Sequence, residues 1–110
     1  MFICVNLKSH PPQVTLEDPA DTKHFHVSVL GSASTQQDPA SLVYAALVDA
    51  AAGRLEGEHA WIAVDAVRRL AVGKVGPKWQ DDLTAMIGYA QANNFYDEPG
   101  NALRAHVEWA

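Results

Sequence analysis

Two stretches of this chain alternate apolar and polar residues, and they constrain its fold more than any other feature. The first is residues 23–30 (KHFHVSVL) and the second is residues 103–109 (LRAHVEW). Side chains alternate across a β-strand with a period of two, so each stretch predicts a strand with one apolar and one polar face. The polar positions are His24, His26 and Ser28 in the first stretch and Arg104, His106 and Glu108 in the second. We expect the two strands to be neighbours in one sheet, which would bring their histidines onto one surface.

The size and charge of the chain limit the classes of protein to which it can belong. At 110 residues, we expect residues 1–110 to form a single compact domain. The net charge of −5 argues against a domain that holds nucleic acid or an anionic membrane. Cys4 is the one cysteine, so an intramolecular disulfide is excluded. This cysteine usage, together with the absence of a signal-peptide pattern and of a long apolar run, predicts a cytoplasmic protein.

Other local patterns predict the remaining elements. Strands are expected at residues 2–7, 13–16 and 59–64, and helices at residues 38–52, just after Asp65, and at about 77–93. Asp38 and Asp65 are the predicted N-caps, and Gly53 is the predicted end of the first helix. This order predicts an α+β fold, a small, mostly antiparallel sheet of roughly three to five strands with about three helices packed on one face. A crossover through the helix at 38–52 would make the strands at 24–30 and 59–64 a parallel pair.

The tryptophans indicate where the core lies. Trp79 and Leu83 fall on the apolar row of the longest helix, and Trp109 falls on the apolar side of the last strand. Trp61 shares a strand face with His59, while the other face of that strand is also apolar. This pattern is typical either of a central strand covered on both sides or of a contact with another protein.

The histidines suggest a metal site. His24 and His26 lie two residues apart on one strand face, and their ring nitrogens could converge on zinc or another divalent ion, with His106 as a third ligand. Glu108 could complete such a site or orient His106 for acid–base chemistry, so these four residues are the candidate catalytic residues. The alternative is a solvated polar face of an antiparallel sheet, with Arg104 paired to Glu108.

Half of the basic residues fall within one short segment that could bind a cofactor or another small anionic ligand. They are Arg68, Arg69, Lys74 and Lys78. Helix ends and a glycine-containing loop in this segment could together hold a phosphate or a carboxylate. The loop lacks the sequence of a nucleotide-binding P-loop, and basic residues on the outer face of a helix are usually solvated, so this alternative stays open.

The sequence thus predicts a small cytoplasmic domain for binding or protein interaction, without clear catalytic machinery and associated with copies of itself. The alternative is a small enzyme or metal-binding protein that uses the histidine-bearing sheet face. We expect no membrane partner, and the acidic balance argues against nucleic acid.

Overall fold

The computed structural model describes residues 1–9, 11–31 and 39–109. The elements, in chain order, are β1 (Phe2–Asn6), β2 (Gln13–Glu17), β3 (His26–Leu30), α1 (Pro39–Asp49), β4 (Gly53–Glu56), β5 (His59–Ala63), α2 (Val64–Leu70), α3 (Trp79–Ala92), β6 (Tyr96–Asp97) and β7 (Ala102–Glu108). The predicted N-cap Asp38 lies outside the described residues. None of the helices in the described ranges is long and apolar enough to cross a membrane.

The prediction of a small, mostly antiparallel sheet is wrong. In the described part of the chain, seven strands form one mixed sheet that curls into a half-barrel, in the order β2-β1-β3-β7-β5-β4, with β6 paired to β7. β3 does not extend the hairpin of β1 and β2 but pairs with the other edge of β1, and it therefore runs parallel to β1. The short strands β4 and β6, which the sequence patterns did not predict, enlarge the sheet further.

The predicted parallel pair is also wrong in its partners. β3 runs parallel to β1 and to β7, and β7 lies between β3 and β5. β5 is antiparallel to both of its neighbours, β4 and β7. The final strand thus inserts between elements that are much closer to each other in sequence, and its pairing with β5 was not predicted.

One apolar core joins the helices to the sheet. Its helical residues include Val43 and Leu47 of α1, Ala66 and Val67 of α2, and Trp79 and Leu83 of α3; its strand residues include Ile3, Val27, Ala60, Ala105 and Val107. The predicted burial of Trp79 and Leu83 is confirmed, and the indole N–H of Trp79 donates a hydrogen bond to the carbonyl of Pro19 at 2.7 Å. Trp109 lies beyond the end of β7 and is 42% exposed, so its predicted place in the core is wrong.

Two predicted element boundaries are also wrong. Asp65 is not an N-cap, because β5 runs directly into α2; Ala63 occupies the cap position and no side chain caps the helix. Gly53 does not end α1 but begins β4, with φ at +153°. A Cβ atom at Gly53 would overlap the carbonyl oxygen of Trp61 on the paired strand, so glycine is needed there for close strand packing.

Candidate functional site

A row of side chains crosses the sheet on the face opposite the core. The strand registers place its members next to each other, from β2 to β4, in the order Glu17, Phe2, His26, His106, His59 and Glu56. We call this set the histidine row. Directly paired residues of neighbouring strands point to the same side of a sheet, so three imidazoles lie side by side. The predicted adjacency of His26 and His106 is confirmed, since they are direct partners in the parallel pair of β3 and β7.

Each imidazole has its own neighbours. The ring of His26 stacks on Phe2 with 4.9 Å between centroids, and its Nε2 atom lies 3.5 Å from a carboxylate oxygen of Glu108. The rings of His59 and His106 meet edge to face at 5.7 Å. These contacts form two ring pairs on one face of the sheet, Phe2 with His26 and His59 with His106.

His24 is not part of this row, because β3 begins only at His26. Its exposed ring donates a hydrogen bond from Nδ1 to Asp21 at 3.0 Å. This hydrogen bond is the main reason why the pKa of Asp21 lies below its ordinary value. Two of the three predicted zinc ligands, His26 and His106, are therefore brought together, whereas His24 is held by a separate partner.

Next to the histidine row, one edge of β7 changes its partner strand from β3 to β6. The same edge of β7 pairs with β3 at His106–Glu108 and with β6 at Ala102–Leu103, and the N–H of Arg104 donates to the carbonyl of Phe95. A groove of about 800 Å³ opens where this exchange takes place. Its lining consists of Thr22, Lys23, His24, Phe25, His59, Asp82, Ala85, Met86, Tyr89, Ala90, Phe95, Leu103, Arg104 and His106.

The helix α3 forms one wall of the groove. Its lining residues follow one another at spacings of one, three or four positions; they are Asp82, Ala85, Met86, Tyr89 and Ala90. Met86 and Ala90 border the face of Trp79 and Leu83 in the core, whereas Asp82, Ala85 and Tyr89 lie on the side of the helix farther from it. Tyr89 is 67% exposed and Phe95 is 41% exposed, so large aromatic surface faces solvent here. This wall is apolar except at Asp82.

The opposite side of the groove is polar and contains Arg104. Its Nη2 atom lies 3.3 Å from Nδ1 of His59, and because a guanidinium can only donate, the imidazole nitrogen accepts. Within the described residues, neither Arg104 nor Lys23 has a carboxylate within ion-pairing distance. The groove therefore combines an apolar wall with two cationic groups that form no ion pair with any described carboxylate.

The candidate metal ligands do not form a complete site. No group of three or more His, Cys, Asp or Glu side chains in the described ranges is arranged to hold a metal ion. No set of side chains in these ranges therefore matches the predicted zinc site. His106 and His24 both line the groove, but His26 and Glu108 do not belong to its lining.

The predicted basic cluster is used mainly for contacts within the chain. Arg69 donates to the carbonyl of Ala50 at 2.6 Å, and Lys74 donates to the carbonyl of Leu16 at 2.8 Å. Arg68 donates to the side chain of Gln80 at 3.4 Å, and Lys78 is the N-cap residue of α3. Three of the four side chains thus bond to three different segments, and none of the four lines the groove.

Sequence reasoning missed His59 and Arg104 as parts of one site. His59 begins β5, and its alternation with Trp61 was visible, but the register that sets His59 beside His106 is a tertiary property. Comparison with known proteins finds no matching protein family, no similar curated protein and no similar solved structure.

Proposed function

We propose that this protein is a small cytoplasmic binding domain whose groove takes up a small molecule with an apolar body. The observation that carries this proposal is the groove between α3 and the edge of β7, with exposed aromatic side chains on one wall and polar groups opposite. Small-molecule sites in proteins are mostly apolar concavities of roughly 300–1,000 Å³ with a few polar groups that orient the ligand.

The exposed apolar surface supplies the driving force for binding. Covering about 300 Å² of apolar surface would contribute about 7 kcal/mol before the cost of association is subtracted. Because association costs about 4 kcal/mol or more, apolar contact alone corresponds to dissociation constants of about 1 mM or weaker, so tighter binding requires the polar groups of the groove. Binding rather than catalysis is favoured because the predicted catalytic residues are divided: His24 and His106 line the groove, whereas His26 and Glu108 lie outside its lining.

The test is a fluorescence titration with the neutral apolar probe N-phenyl-1-naphthylamine. Ala85→Trp should fill the groove and weaken probe binding at least about tenfold, because Ala85 is an exposed residue of the lining. The matched control is Ala92→Trp, which places the same side chain at an exposed position of α3 outside the lining. Failure of the wild-type protein to bind the probe, or an equal effect of both variants, would contradict the proposal.

Self-association is a second part of the proposal, and the outer face of α1 favours it. Tyr44 and Val48 are each 50% exposed and lie one helical turn apart, so they present a small apolar patch. Light scattering coupled to size-exclusion chromatography should show a dimer that Tyr44→Ser and Val48→Ser together convert to a monomer. A wild-type protein that is monomeric at about 100 μM would remove this part and leave the groove proposal intact.

A further inference from the structure

We infer that the ligand of the groove carries a single carboxylate, which binds Arg104 while its apolar body lies against α3. This inference rests on the proposed function, since it specifies the chemistry of the molecule that the groove takes up. It assigns Arg104 as the residue that selects the ligand.

The exposure and the hydrogen bonding of Arg104 favour the binding of an anion. Its side chain is exposed, and the ring of His59, at 3.3 Å, is its one side-chain hydrogen-bond partner among the described residues. A guanidinium presents several donors in a planar fork that matches a carboxylate, and the contact with His59 uses only one end of that fork.

The charged side chains that line the groove also favour an anionic ligand. The ionised groups in the lining are Lys23, Arg104 and Asp82, so the groove carries one net positive charge with its imidazoles neutral. The whole chain has a formal net charge of −5, so the lining is more positive than the chain as a whole, with the Asp21 carboxylate next to its residue His24. An excess of positive charge attracts anions more strongly than neutral molecules or cations. A single surplus positive charge matches a monoanion better than a phosphate dianion.

The polar and the apolar surfaces lie on different sides of the groove. Met86, Tyr89 and Ala85 belong to α3, whereas Arg104 and His106 belong to β7 on the other side of the groove. Phe95 connects the two sides, because its carbonyl accepts the backbone N–H of Arg104 at 2.8 Å. A ligand with an apolar body and one terminal carboxylate can therefore contact both surfaces at once.

The experiment compares two molecules of nearly equal shape as competitors of N-phenyl-1-naphthylamine. They are 1-naphthaleneacetate, which is an anion at neutral pH, and 1-naphthaleneethanol, which is neutral. We expect the wild-type protein to bind the acetate at least about tenfold more tightly than the alcohol, as is usual for one charge-assisted interaction. The preference should decrease in about 0.5 M salt because the site is open to solvent.

The decisive variant is Arg104→Gln, which should bring the ratio of the two affinities close to one when both are measured by competition with the neutral probe and the probe's own affinity for the variant is determined first. Arg54→Gln is the matched control, since Arg54 is an exposed arginine of the sheet, outside the groove, with its guanidinium 5.9 Å from the ring of Trp61. This variant changes the net charge equally and should retain the preference for the acetate.

The outcomes separate the two levels of the proposal. If the neutral probe binds but the wild-type protein does not prefer the acetate, or if Arg104→Gln retains the preference, the inference is overturned and the binding function stands. Tighter binding of 1-naphthyl phosphate than of the acetate would overturn the assignment of a carboxylate. If the neutral probe does not bind the wild-type protein at all, the proposed function fails, and the inference fails with it.

Discussion

Replacement of Gly53 by alanine should lower the free energy of unfolding by about 3 kcal/mol, whereas the same replacement at Gly88 should raise it. Gly53 has φ at +153°, where a residue with a Cβ atom is strained by about 1–3 kcal/mol. Its Cβ atom would also overlap the carbonyl oxygen of Trp61. Among the described strands β4 pairs with β5 alone, so relief of the overlap requires these two strands to move apart.

Two further glycines differ from Gly53 in backbone conformation or in the space available for a Cβ atom. Gly57 also has a positive φ, at +61°, but nothing lies within 4 Å of a Cβ atom there, so Gly57→Ala should cost only about 1 kcal/mol. Gly88 lies inside α3, is exposed and has open space for a Cβ atom. Gly88→Ala should therefore stabilise the protein by about 0.5–1 kcal/mol through helix propensity.

The assay is urea unfolding followed by circular dichroism, with midpoints compared at constant slope. A loss of about 3 kcal/mol is a large part of the roughly 5–15 kcal/mol that stabilises a typical domain, so the Gly53→Ala midpoint should fall clearly below the others. The expected order of stability is Gly88→Ala, wild type, Gly57→Ala and Gly53→Ala. A Gly53→Ala variant as stable as Gly57→Ala would refute the close packing of β4 on β5.

Three shorter predictions follow from burial and charge. Leu83→Ala should cost about 3–5 kcal/mol in urea unfolding because Leu83 is fully buried, whereas an effect below 1 kcal/mol would place it outside the core. Asp65→Ala should cost less than about 0.5 kcal/mol, since the side chain is exposed and lies 3.9 Å from Arg68; a larger loss that asparagine restores would make Asp65 the cap after all. Burial, with the nearby charge of Glu17, raises the pKa of the Cys4 thiol, so the native protein should react with a disulfide reagent much more slowly than the unfolded chain. Because the folded-state pKa is the higher one, the stability that Cys4 contributes is present below the ordinary thiol pKa of about 8.5 and is lost as the pH rises through the folded value. Cys4→Ala should therefore lose less stability than the wild type above about pH 9, and equal losses would contradict the shift.

The sequence by itself determined the features that depend on local periodicity. The alternation around His26 and His106 predicted two strands with histidines on one face, and these residues are direct partners in the sheet. The spacing of Trp79 and Leu83 predicted the buried face of α3, and both are buried. Such features are predictable because the backbone geometry of a strand or a helix fixes which neighbouring residues share a face.

Only the tertiary structure decided how the sheet is assembled and where the candidate site lies. The shared histidine pattern suggested that β3 and β7 are neighbours, but nothing near β3 in the sequence indicates its pairing with β1 or the parallel direction of both pairs. β6 has two residues, too few for a periodic pattern, yet it makes the edge of β7 change partners and opens the groove. As one alternative, Arg104 was expected to pair with Glu108, but the register pairs it with Trp61 and its side chain contacts His59, while Glu108 contacts His26. The site therefore depends on cross-strand register, which is set by the packing of the whole sheet and not by any local stretch of sequence.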